Sequence, residues 1–190
     1  MISRFGWLLL VGVTVLPPVD SYLDAHMSRH MLIQLPVLLG LGFTAGHVWR
    51  SLRVRHLALG LGCTLFTLGS IVFWTMPLSL DTAVLSFWVD QGMHANMLVA
   101  GWSLALGLPS LAFYAKMAFG VYGLAMILTA GVVYSASLSP VCAVYSIQQQ
   151  HLTGKLLCVL GGAAFVMLVA RGALLLRASF IPGRDSKADA

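Results

Sequence analysis

Residues 24–46, DAHMSRHMLIQLPVLLGLGFTAG, begin with histidines, thioethers and an arginine and then turn almost wholly apolar. A run of about 20 mostly apolar residues is long enough to cross the hydrocarbon core of a bilayer as a helix. The surrounding chain repeats this character. Of 190 residues, 59% are hydrophobic and 9% charged, and the mean hydropathy is +0.90. Soluble domains carry roughly 25% charged residues, so the composition predicts an integral membrane protein. Apolar runs fall at about 5–19, 24–46, 57–77, 85–108, 111–136 and 150–178. The expected fold is all-α: a single polytopic membrane helix bundle over residues 1–190, with about six transmembrane helices. The first run is expected to be an uncleaved anchor, because Pro17-Pro18-Val19-Asp20 makes a poor signal-cleavage sequence.

The basic residues set the expected orientation. His47, Arg50, Arg53, Arg55 and His56 crowd the link between the second and third runs. Lys116 opens the fifth, and Arg177, Arg184 and Lys187 close the chain. The alternate links hold Asp20 and Asp24, then Asp81, then an uncharged stretch at 137–150. Lys and Arg favour cytoplasmic loops, which places both termini in the cytoplasm. The net charge of +5 therefore reports topology, and no nucleic-acid partner is implied. Three cysteines with no CxxC pattern argue against a disulfide framework.

With that topology, the polar residues inside the runs gather at one depth. His26, Met27, His30 and Met31 lie in the outer turns of the second run. Asp90, Met93, His94, Asn96 and Met97 lie in the outer third of the fourth, and Gln148, Gln149, Gln150 and His151 start the sixth. His26 and His30 are spaced i, i+4, with Gln34 a turn further; Asp90, His94 and Met97 follow i, i+4, i+7. A charge near the bilayer centre costs about 2.5–3.5 kcal/mol on insertion scales, so such groups face the bundle interior. Small residues nearby (Gly92, Ala95, Ala100, Gly101, Gly154) suit close helix approach.

Four of the nine methionines, Met27, Met31, Met93 and Met97, accompany these histidines. Imidazole with thioether is soft enough for Cu(I). The expected metal ligands are His26, His30 and His94, with Met27, Met31 or Met97 supplementary and Asp90 orienting His94. His151 is a further candidate, on a stripe with Lys155 and Cys158. Haem b is the alternative cofactor, held between His30 and His94, and a quinone-binding redox subunit or a copper permease are the competing functions. No GxSxG, HExxH or paired catalytic carboxylates occur, so no enzyme activity is expected.

The segment DAHMSRHMLIQLP resembles the HMxxHM(L/I) segment of the CtaG-type cytochrome c oxidase assembly proteins. MHANMLVAGWSLALGLP is similar to that family's mid-chain histidine block, and QQQHLTGKLLCVLGG to its last helix. The three blocks span roughly residues 24–162 in the family's order. Family members are generally longer, with seven helices, so this chain resembles a shortened relative. Where the family has Asp-Gln-Gln, Gln149-Gln150-His151 stand here. The resemblance implies copper delivery to the CuB centre of a haem-copper oxidase. It further implies a bacterial plasma (inner) membrane location, a site near the periplasmic face, an outer-side copper carrier and an oxidase subunit docked within the bilayer.

Overall fold

A computed structural model describes residues 17–48 and 56–180. Among these residues the secondary structure is helical throughout. In chain order the helices are α1 (Pro17–Asp24), α2 (Met27–Val48), α3 (Leu57–Thr75), α4 (Pro77–Leu85), α5 (Phe87–Gly107), α6 (Phe113–Ala136) and α7 (Ile147–Phe180). Four of them, α2, α3, α6 and α7 up to Arg177, are long and apolar enough to cross a membrane. The 21-residue α5 is not among the four, because Asp90, Gln91, His94 and Asn96 lower its hydropathy. Asp90 and His94 are buried in the bundle.

Most boundaries fall within a few residues of the expected runs, with three differences. Residues 5–16 of the first run lie outside the described residues, and Pro17 begins the short, separate α1. Arg50, Arg53 and Arg55 also lie outside the described residues. The link expected between the third and fourth runs contains a helix of its own, α4. Proline chemistry explains it: a residue preceding proline is pushed out of the helical region, and proline suits the first helical turn. Met76 is extended and ends α3, Pro77 opens α4, and the extended Ser86 separates α4 from α5.

Proline also shapes α2. Pro36 has no N–H to return to the carbonyl of Leu32, so the ordinary helical ladder cannot continue through it. Just upstream the helix widens into a π turn over His30–Gln34, where the Leu35 N–H reaches the His30 carbonyl. Such widened turns occur mostly as single insertions and often at functional sites. Here the turn buries His30, Met31 and Gln34 together.

Two helix pairs dominate the packing, α2 with α5 and α6 with α7. At Gly42 and Gly101 the α2 and α5 backbones touch, and a methyl on either would run into the carbonyl of Leu98 or Leu39. Gly154 meets α6 in the same way, at the Gly131 carbonyl and the Ser135 backbone. Ala100 is fully buried, as close approach requires. Gly92 and Ala95 are instead exposed and contribute nothing to helix contact. With α3 against α5, helices α2, α3 and α5 form one unit and α6–α7 the other.

The two units join at the end of the bundle where α2 begins. Tyr134 Oη donates to the Thr75 carbonyl at 2.8 Å, and Tyr145 Oη to the Asp24 carbonyl at 2.9 Å. The backbone amides of Ala143 and Val144 donate to Asp81 on α4 at 2.7 and 3.2 Å. Gln150, at the start of α7, ties the loop internally: its Oε1 accepts from Val141 and Cys142, and its Nε2 donates to the Cys142 and Tyr145 carbonyls. Helix α1, helix α4 and loop 137–146 thus make a cap over one end of the bundle.

Candidate metal centre

The cluster under the cap is built from α1, α2 and α5. Two turns of α5 present the Asp90 carbonyl to His94, whose Nδ1–H donates to it at 2.9 Å, with Asp90 Oδ2 also 3.3 Å from Nδ1. That bond fixes the tautomer: with Nδ1 protonated, Nε2 carries the free lone pair of a neutral imidazole. From α2, Gln34 Nε2 donates to His94 Nε2 at 3.1 Å and to Asp20 Oδ1 at 2.9 Å. Asp20 Oδ1 lies 3.3 Å from His94 Nε2. Asp20, Asp90 and His94 each offer one ligand atom, and these atoms lie within 4.8 Å of one another.

Two acceptors at 3.3 Å repel unless a proton or a cation is shared between them. Burial, followed by the charges of Asp90 and Asp24, pushes the Asp20 carboxyl up to about 6, against a smaller opposing pull from His94. Asp90 Oδ1 and Gln34 Oε1 are both buried without a hydrogen-bond partner. Buried polar atoms are rarely left unpaired, so the cluster has unspent acceptor capacity. Its donor chemistry fits a cation: one imidazole, carboxylate oxygens, and an Asp90–His94 contact of the kind that orients a ligating histidine.

A second pair adjoins it. His30 is fully buried, with Nδ1 2.7 Å from Asp24 Oδ1. Its Nε2 is also buried without a partner. Among the described residues, the ion pairs of this region are all between histidine and aspartate. Arg29 turns away, over the Tyr22 ring at 4.1 Å with Nη1 donating to the Tyr22 carbonyl.

The structure therefore brings together His94, Asp90 and, one helical turn from Gln34, His30. It separates others. His26 is exposed: the backbone is extended there and α2 starts only at Met27, so the i, i+4 face expected with His30 does not form. Its Nδ1 lies 3.1 Å from Gln149 Nε2 instead. His151 Nε2 pairs with the Ser137 carbonyl at 2.9 Å, on the α6–loop side, and Lys155 is exposed. Met27 and Met31 pack in one apolar cluster with Leu80, Tyr134, Cys142, Tyr145 and Leu157. Met97 packs with Met93 in another, with Leu35, Leu38, Trp74 and Ala83. Asp20 and Asp24 were legible in the sequence only as loop charges.

Comparison of the chain with protein families, with characterised proteins and with solved structures finds no match.

Proposed function

We propose that this chain is a membrane metal-handling protein whose Asp20–His94 pair, steadied by Asp90, holds a copper ion on its way to a haem-copper oxidase. The carrying observation is the 3.3 Å approach of His94 Nε2 to Asp20 Oδ1, the two bridged by the Gln34 amide. First-row metals bind such atoms at about 2.0–2.2 Å, a length compatible with that separation. The choice of copper and of an oxidase as recipient rests on the sequence resemblance. Imidazole and carboxylate suit Cu(II) as well as other borderline divalent ions, and thioethers suit Cu(I). In this reading α5 crosses the membrane alongside α2 and α3, its polar residues turned inward, and the first apolar run supplies a sixth crossing. Both termini are cytoplasmic and the capped end faces the outer side of a bacterial inner membrane. Copper arrives there from an outer-side carrier.

A bis-histidine haem is less well supported. Asp20 Oδ1 stands 3.3 Å from His94 Nε2, where a carboxylate suits a small cation as a second ligand and obstructs a porphyrin, and the Gln34 amide must swing away from Nε2 for either ion. The test is metal analysis of detergent-purified protein. Wild type should retain copper near one per chain after dialysis against a weak chelator, and His94→Ala and Asp20→Asn should lose it. Copper absent from wild type, or equal in all three, overturns the reading.

A further inference from the structure

Between the α1–α2 connection, α4 and the start of α7 lies an open cavity of about 580 Å³. Ser21, Asp24, Ala25, Val84, Tyr145 and Gln149 line it. Asp24 belongs both to this cavity and to the buried cluster. Its side chain is 17% exposed, while its Oδ1 contacts the fully buried His30 at 2.7 Å. One helical turn beyond His30, Gln34 donates to Asp20 and His94. A line of polar groups therefore runs from the cavity to the cluster, through a region otherwise packed with Met27, Met31, Leu80 and Tyr145. The cavity is also large enough for an ion with its water. At ~30 Å³ per water in the liquid, a first shell of six occupies about 180 Å³. At the rim, Gln149 bonds His26 while its Oε1 remains without a partner.

We propose that this cavity is the loading port of the cluster. A hydrated copper ion settles against Asp24 and then exchanges its waters for Asp20 and His94. This rests on the copper-binding reading above and adds the route to it. The carboxylates Asp24, Asp20 and Asp90 draw a cation along that route, whereas any path from the side must cross apolar packing, where a bare charge is costly.

The two readings separate by comparing rate with equilibrium. Cu(II) is mixed with the detergent-purified protein, and quenching of tryptophan fluorescence is followed by stopped flow. Bound copper is then measured after overnight equilibration. Ala25→Trp, which fills the cavity without touching the cluster, should slow loading at least tenfold and leave bound copper unchanged. Asp24→Asn should also slow it. Leu138→Trp, at a position 99% exposed in loop 137–146, should load at the wild-type rate. Ser21→Trp fills the same cavity from the α1 wall and replaces Ala25→Trp if that variant does not fold. Normal equilibrium binding with wild-type loading in a folded cavity-filled variant overturns the port alone. Absence of equilibrium binding in wild type overturns the metal site and the port together.

Discussion

Replacing Gln34 by leucine tests whether the cluster is organised as its hydrogen bonds indicate. Gln34 is 1% exposed, and its amide donates at 2.9 Å to Asp20 Oδ1 and at 3.1 Å to His94 Nε2. Leucine fills nearly the same space and removes both donors. It leaves the carboxylate and the imidazole lone pair facing each other at 3.3 Å. A buried polar group left unpaired costs about 1–3 kcal/mol; the buried His94 bears it in full and the half-buried Asp20, which water reaches, only in part. Burying leucine in place of an amide whose Oε1 already lacks a partner offsets part of this. The expected net loss is about 1–3 kcal/mol for the metal-free protein, read from unfolding in detergent micelles by SDS titration at about pH 7.5.

The pH dependence sharpens the test. Because the folded-state pKa of Asp20 is raised, to about 6, the folded protein holds that proton more tightly than the unfolded chain. Its stability therefore falls as pH rises through the window from the ordinary carboxylate value to about 6, and levels off above it. Below that pH, protonated Asp20 can itself donate to His94 Nε2 and stand in for the missing amide. The Gln34→Leu penalty should shrink visibly at about pH 5 relative to pH 7.5. Equal stability of variant and wild type at pH 7.5, or a penalty independent of pH, refutes the arrangement.

Asp90→Asn should weaken copper binding by about 10–100-fold without abolishing it. The backbone carbonyl at 2.9 Å still orients His94, and competition against a coloured chelator measures the difference. In wild type, copper affinity should drop up to about tenfold per pH unit below about 6, as a proton competes for Asp20 among Asp24, Asp90 and His94. Asp20→Asn, which removes that ligand, should bind too weakly to compete at any pH in the same titration. Gly101→Ala drives a methyl into the Leu39 carbonyl; overpacking of this kind costs about 1–3 kcal/mol or more. Forcing α2 from α5 should also part Gln34 from His94, so both the SDS midpoint and the copper affinity should fall, whereas Gly92→Ala, at an open position, should leave both intact.

The hydrophobic spans were legible because burial in lipid demands long apolar runs, and the helix boundaries follow prolines and extended residues that the sequence displays. The meeting of Asp90, His94 and His30 at one end was legible from depth and spacing. Asp20 was not, because its place in the cluster depends on α1 folding back over the bundle, a tertiary event that no local period encodes. His26 failed for the opposite reason. Its spacing from His30 is helical, but the helix begins one residue too late for it to share the face. For His151, a neighbouring backbone carbonyl, that of Ser137, offered a partner on the far side of α7's first turn. The methionines illustrate a limit of composition: four thioethers near two histidines suggest a soft site, yet packing assigns them to two separate apolar clusters.

A site that passes its ion onward must be closed enough to select it and openable enough to release it. The α2–α5 contact is a poor place for the opening, because at Gly42 and Gly101 the two backbones touch. The junction with α6–α7 can supply it. Among the described residues, hydrogen bonds bridge it from Tyr134 to Thr75, from Tyr145 to Asp24, from Ala143 and Val144 to Asp81, and between Gln149 and His26, five in all. At a net ~1 kcal/mol each, they contribute about 5 kcal/mol, beside the apolar cluster of Met27, Met31 and Leu80 with Tyr134, Tyr145 and Leu157 that packs across the same junction. His94 and Asp90 thus sit on the closely packed helix pair, whereas Asp20 reaches them from α1 in the cap. In the proposed function, exchange of the ion would fall to the cap, and Asp24, which carries the Tyr145 bond on its carbonyl and His30 on its carboxylate, couples cap and cluster.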